Sequence, residues 1–280
     1  MASDRDRCGQ HGTISEYDGM ADSVILIDSH AHLDATEFDA DRTQVLARAR
    51  AAGVTRQIVP AITLETFGKL RTTCKVEKGL YPAYGLHPMY LAEHRPEHLL
   101  ELALWIEREN PVAVGECGLD FYIEGLDADS QRLYFQRQLE LARDFDLPVI
   151  VHARRALDEV ISAIRSFGKL RGVVHSFSGS SEQAKQLWKL GFCIGIGGPV
   201  TYERARRLRA IVASMPLELL LLETDSPDQP LHGHQGTRNE PAQLGEVCAC
   251  IAALRNVDAP AIALATTQNC VRLFRLANAT

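Results

Sequence analysis

Eight short apolar, β-branched runs recur along the chain, each followed by a segment with helical spacing of its apolar positions. The runs are Val24–Asp28, Arg56–Pro60, Tyr81–Tyr84, Val112–Gly115, Pro148–His152, Gly172–His175, Phe192–Ile196 and Leu219–Glu223. That alternation specifies a parallel sheet with helices outside it. The segment Asp39–Ala52 illustrates the helical pattern, with Val45, Leu46 and Ala49 on one stripe and Gly53 stopping it. Eight such units predict an α/β fold, a TIM-type (β/α)8 barrel, and 280 residues are enough to close one. Trp105 and Trp188 fall on helical segments and are expected to pack against the barrel. No repeat, low-complexity tract or linker divides the chain, so 24–280 is expected to be one domain, its pattern ending near Leu276. Residues 1–23 are polar and mixed in charge, and are expected to be a flexible extension.

Polar residues interrupt this pattern where an apolar run ends. His30 and His32 follow the first run, Glu116 the fourth, His152 and His175 the fifth and sixth, and Asp225 the last. Barrel enzymes assemble their sites from the carboxyl ends of strands, so these positions converge on one mouth. The alternation of an extended chain points His30 and His32 to the same side. Glu116 lies in Val114-Gly115-Glu116-Cys117-Gly118, where backbone can approach a ligand, and its two oxygens suit it to bridge two ions. Asp225 follows Leu219-Leu220-Leu221-Leu222, and an unpaired carboxylate there would be costly to bury. Taken singly, His152 or His175 reads as well as a hydrogen-bonded core residue. Six together predict a metal-dependent hydrolase, its centre at the C-terminal ends of the strands.

Composition narrows the partners. A formal net charge of −6 argues against a broad basic surface that grips nucleic acid by counterion release, though not against a substrate held locally. Seven scattered cysteines (8, 74, 117, 193, 248, 250 and 270), without Cys-x-x-Cys spacing, fit a reducing compartment. No secretion signal or membrane-length apolar run occurs. The expectation is a cytoplasmic protein with no membrane association and no obligate protein partner.

These residues, in this order, resemble the TatD family of metal-dependent deoxyribonucleases within the amidohydrolase superfamily. The resemblance rests on Asp28-x-His30-x-His32, Gly85-Leu86-His87-Pro88, Val114 to Tyr122, Val151-His152-Ala153-Arg154, Val174 to Gly179 and Glu223 to Pro227. The stretch from Glu223 to Leu231, with Gln235-Gly236 and Asn239-Glu240-Pro241, is similar to a less characterised bacterial branch of that family. The resemblance implies a barrel with one or two divalent ions and hydrolysis of phosphodiester bonds, often exonucleolytically on DNA. Carried over, His30, His32, Glu116 and Asp225 hold one ion, and Glu116, His152 and His175 the other. Cys117 departs from the aliphatic residue usual after the glutamate, and reads as a small buried hydrophobe.

The expected cofactors are therefore two divalent metal ions, of open identity: the ligand types suit Zn, Mn or Fe, while phosphoryl transfer often runs with Mg. A water or hydroxide shared between such ions is acidic enough to attack at neutral pH, and Asp225 is placed to act as general acid/base. Arg154 is a candidate phosphate contact or a loop-bracing ion pair, and His87 a phosphate contact or a loop-closing hydrogen bond. His232 and His234 can touch substrate or face solvent. Arg238 and Asn239 can hold a phosphate or cap a helix, and Asp120 and Asp228 can support ligands or cap turns. The leading expectation is hydrolysis of DNA or nucleotide fragments, bound transiently. The alternatives are an amide, ester or lactone hydrolase on the same barrel, and a metal-stabilised scaffold without turnover.

Overall fold

The structure, a computed structural model, describes residues 25–277, so the expected extension 1–23 and Val24 lie outside the described residues. Eight strands, β1 (Leu26–Asp28), β2 (Val54–Pro60), β3 (Leu80–Tyr84), β4 (Ala113–Asp120), β5 (Val149–Arg154), β6 (Gly172–Val174), β7 (Cys193–Ile196) and β8 (Leu220–Leu222), pair in parallel in chain order. Eight helices, α1 (Arg42–Ala51), α2 (Phe67–Val76), α3 (Glu97–Glu109), α4 (Ala128–Asp144), α5 (Leu157–Phe167), α6 (Ser181–Lys189), α7 (Arg206–Ser214) and α8 (Leu244–Arg255), alternate with them, and a further helix, α9 (Ala259–Phe274), ends the fold. The seam between β8 and β1 is closed just beyond the strands, where Ser29 N donates to Leu222 O (2.9 Å), Asp225 N to His30 O (2.9 Å) and His32 N to Ser226 O (2.8 Å). The expected (β/α)8 barrel is thus the observed one, nearly closed.

Local chemistry sets the helix ends. Ser180 caps α6 through Gln183 N, and the Gln183 side chain returns the bond to Ser180 N. Asp127 and Asp258 cap α4 and α9 by accepting from Ser130 N and Ala261 N. Asn110 and Asn256 end α3 and α8 in the left-handed conformation that asparagine tolerates.

Two apolar clusters divide the core. The larger lies between sheet and helices, and Trp105 and Trp188 pack against it as expected. The smaller draws one residue from every strand (Ile27, Ile58, Ala83, Ala113, Ile150, Val173, Cys193 and Leu221) and is sealed by Cys270, Leu273, Phe274 and Leu276 of α9 and its end. This cluster fills the barrel below the site, each buried aliphatic contributing about 1.5–3 kcal/mol.

Most strand ends fall within two residues of the sequence reading, and the largest departure is β4. Val112–Gly115 was expected to end before Glu116, whereas β4 continues to Asp120. Its pairing with β5 shifts between Val114 and Cys117 and then resumes, from Cys117 opposite Val151 to Asp120 opposite Arg154. Glu116 therefore sits within a bulged strand, which re-aims a side chain without ending the ladder. Gly118 makes the resumed pairing possible: its φ is +142°, and a Cβ there would collide with His152 O.

Candidate metal centre

On β5, β6 and β8 the period of two carries each strand from the barrel interior to the site, from Ile150 to His152, Val173 to His175 and Leu221 to Glu223. On β1 and β4 the parity changes. Ile27 and Ala113 fill the interior, yet His30 and Glu116 reach the mouth, because β1 ends at Asp28 with a bend at Ser29 and β4 carries its bulge.

All six sequence-selected residues meet around Glu116. Its Oε2 lies 3.1 Å from His30 Nε2 and 3.4 Å from His32 Nε2. Asp225 Oδ1 completes that side, 3.4 Å from His30 Nε2 and 3.7 Å from His32 Nε2. The other oxygen, Oε1, lies 2.7 Å from His175 Nε2 and 3.2 Å from His152 Nδ1. One carboxylate thus faces two separate imidazole pairs. His87 Nε2 also sits 2.9 Å from Oε1, while His87 Nδ1 accepts from Met89 N at 3.1 Å. The loop-closing bond is therefore present, and the same side chain joins the circle of possible ligands, a role that its place in a Gly-Leu-His-Pro loop did not disclose.

The charge state of the cluster follows from this crowding. Burial opposes ionisation of Glu116, but His175, His87 and His30 outweigh it and hold its carboxyl well below the usual carboxylate range. Burial, with His175 beside it, keeps His30 well below the ordinary imidazole value, and burial lowers His87 to about 4. For His32 and His175 burial also disfavours charge, yet Glu116 prevails and raises them to about 9 and about 10. Burial raises Asp225.

The donor set fits divalent ions. His30 Nε2 and His32 Nε2 are 3.2 Å apart, as His152 Nδ1 and His175 Nε2 are at 3.3 Å. Lone pairs so close repel unless a proton or cation lies between them. Two atoms each about 2.1 Å from one ion lie about 3.0–3.4 Å from each other, which matches these spacings. His30 Nδ1, His175 Nδ1 and Glu116 Oε2 are buried without a hydrogen-bond partner. Neutral imidazole and carboxylate suit Zn or Mn.

A ring of supporting groups fixes the donors. Asp120 Oδ2 accepts from His152 Nε2 at 2.9 Å, while its Oδ1 accepts from Tyr122 N, so Asp120 both orients a histidine and caps a turn. Gln229 Nε2 donates to Asp225 Oδ2 at 2.5 Å. Buried Asn239 donates to Thr224 O (2.8 Å), Asp228 O (2.9 Å) and Gln229 O (3.2 Å), holding the segment that carries Gln229. Asp28 accepts from Thr224 Oγ1 (2.6 Å) across the barrel seam, and burial raises it to about 7. Glu223 accepts from Ser176 N at 2.5 Å, and burial raises it to about 8. Gly195 leaves room for it, since a Cβ there would strike Glu223 Oε2. Sequence reading passed over Gln229, Glu223 and Asp28 as functional residues; two carboxylates in otherwise apolar strands were the available signal.

The cluster opens into a cavity of about 1180 Å³, lined among others by His87, Arg154, Asp225 and Asp228. Arg154 braces no ion pair among the described residues; its guanidinium carbon lies 3.6 Å from the centre of the Tyr122 ring. His232 packs edge-on against Tyr202 and His234 lies 3.4 Å from Glu246, neither on the cavity wall. Arg238 is spent on Asp41, at 2.7 Å and 2.8 Å, away from the cavity. Cys117 lies in the outer core with its thiol directed to Ile150 O, and burial pushes its pKa up, in keeping with a small hydrophobe.

The profile of the family described as TatD related DNase matches residues 27–275. The chain belongs to the TatD family. Among its TatD relatives, the uncharacterized metal-dependent hydrolase YjjV of Escherichia coli K12 is 42% identical over 254 residues, covering 90% of this chain and 98% of YjjV. The crystal structure of that TatD homologue superposes with a TM-score of 0.87, covering the same shares of the two chains. A putative deoxyribonuclease, tatdn3 of Danio rerio, is 32% identical and covers 89% of this chain and 97% of its own length. The present TatD protein is accordingly a metal-dependent hydrolase. No single helix among its described residues is long and apolar enough to cross a membrane.

Proposed function

We propose that this TatD protein hydrolyses phosphodiester bonds, as a deoxyribonuclease of exonucleolytic type, with one divalent ion on each side of Glu116. The observation that carries the reading is the division of labour at that carboxylate, Oε2 toward His30 and His32 and Oε1 toward His152 and His175. Bound there, the ions would acidify a water and offset charge growing on phosphoryl oxygens. Asp225, with Oδ2 fixed by Gln229 and Oδ1 turned toward the imidazoles, orients the attacking water and passes its proton toward the leaving oxygen. Arg154, on the cavity wall, takes a non-bridging phosphoryl oxygen. His87, its Nδ1 engaged by Met89 N, holds Glu116 in place. The relatives' names support the phosphodiester assignment: the family description names a DNase, and tatdn3 a putative deoxyribonuclease.

The test strips the protein with chelator, restores Zn, Mn or Mg, and follows cleavage of single-stranded DNA beside ester, lactone and amide substrates. Metal-restored DNA cleavage that disappears in Asp225→Ala and Glu116→Ala is the expected result. Normal cleavage by both variants, or a strong preference for a carbonyl substrate, overturns it.

A further inference from the structure

We infer that arginines at the end of β5 and around the start of α7 form a second binding site, continuous with the metal centre, for the phosphates of a single-stranded oligonucleotide on one side of the scissile bond. The inference rests on the phosphodiesterase reading above and adds where the strand runs.

The chain is acidic overall, and its surface arginines are widely engaged by carboxylates, as Arg48, Arg132, Arg171 and Arg238 are. Arg154, Arg155, Arg204, Arg206 and Arg207 are exposed and join no ion pair among the described residues. Arg154, Arg204, Arg206 and Arg207 line the metal-centre cavity. Arg155 and Arg207 line a second cavity of about 620 Å³, which shares Ala153, Ser178 and Arg207 with the first. Five uncompensated guanidinium groups thus follow one path out of the site. A single phosphate saturates one or two such forks, so the row matches a chain of phosphates.

The opposite lip reinforces the direction. Asp34 and Glu37 line the cavity beyond β1, four strands around the barrel from β5, and a polyanion leaving the centre is repelled from that side toward the arginines. The carboxylates beside the second cavity are already engaged. Glu159 binds Arg132 at 2.7 Å and 3.0 Å, and Asp158 accepts from Gln183 Nε2 at 2.7 Å. Half-exposed Tyr122 lies under both Arg154 (3.6 Å) and Arg155 (4.6 Å), an aromatic and guanidinium platform of the kind on which unpaired bases stack. Arg207 Nη2 donates to Ser178 O at 2.9 Å, which fixes its guanidinium where the cavities join.

The test compares the full-length, metal-loaded protein with Arg204→Gln/Arg206→Gln/Arg207→Gln and with a control triple, Arg50→Gln/Arg95→Gln/Arg165→Gln, of equal charge away from the site. Binding of a labelled oligothymidylate of about ten nucleotides, within the span such grooves cover, is followed by anisotropy across a salt series. Each phosphate contact on a single strand contributes about 0.7 to the slope of log affinity against log salt, so the first triple should lower the slope by about 2 and the control should not. Turnover should fall at least about tenfold further on the oligonucleotide than on bis(p-nitrophenyl) phosphate, which carries no flanking phosphates to contact the row. Equal slopes, equal losses on both diesters, or equally tight binding of an oligoglutamate overturns the inference. If the parent protein cuts neither diester, the phosphodiesterase reading falls, and the binding slopes still decide this one.

Discussion

The two ends of the barrel use the same eight strands for opposite purposes. At the lower end each strand contributes one apolar side chain and α9 closes the opening, so the floor holds only contacts that favour folding. At the upper end the strands place largely buried imidazoles and carboxylates within hydrogen-bonding distance of one another, a grouping that burial disfavours. What the mouth loses in desolvation the floor and the helical layer must supply. Stability and chemistry are therefore expected to separate along the barrel axis, and substitutions at either end test whether they do.

The largest effect is expected at the floor. Phe274 is only 2% exposed and packs among residues of the strand cluster, so Phe274→Ala should leave a cavity worth about 3–5 kcal/mol in urea denaturation. Metal affinity and turnover per folded molecule should be unchanged. Loss of metal affinity in the folded variant would show that the two ends are mechanically coupled and that the separation is wrong.

How much of each end could be read in the sequence follows from the same contrast. The floor and the strand order were legible because a buried parallel strand is an unbroken apolar run, and the eight runs fell close to the observed strands. His152 and His175 were legible because β5 and β6 keep the period of two from interior to mouth. Glu116 was found by its chemistry and misplaced by its geometry, since a bulge in β4 comes from pairing with β5 and leaves no local trace beyond glycines. His87 was assigned to substrate or loop, while its approach to Glu116 depends on where two distant strands end. Gln229 was invisible for a similar reason: Asn239, ten residues further on, holds the backbone that aims it at Asp225.

A smaller effect sharpens the comparison within the mouth. Asp120 Oδ2 holds His152 Nε2 at 2.9 Å and leaves Nδ1 for an ion on the Oε1 side. Asp120→Asn keeps Oδ1 for the turn at Tyr122 but removes the charge behind His152, and should weaken metal binding there by about 10–100-fold. Calorimetric titration should show the loss in one binding step, the ion beside His30 and His32 being retained. Equal weakening of both steps would mean that the two sides of Glu116 do not act as separate sites.

The smallest effect per unit of change is with pH. Imidazole ligands must be neutral, whereas Glu116 raises His32 to about 9 and His175 to about 10 in the metal-free protein, from an ordinary value of 6.5. Below about pH 9 each of these residues is an imidazolium in the folded state, and an ion entering its side of Glu116 must displace the second ring proton. Affinity should therefore rise with pH, by at least about tenfold per unit for each ion, or about 1.4 kcal/mol, with His152, which is raised against its burial by Asp120 and Glu116, adding to the slope on its side, and level off once pH passes the raised values. His30, held well below the ordinary imidazole range, and His87, at about 4, are already neutral near pH 7 and add no slope there. Metal titrations from about pH 6 to 9, repeated in buffers of different ionisation enthalpy, measure both the slope and the protons released. Phe274→Ala should reproduce the parent slope, because the groups that exchange a proton for an ion all lie at the mouth. A flat response in the parent would mean that no proton occupies the ion positions, which would contradict the charge balance around Glu116 on which the contrast between the two ends depends.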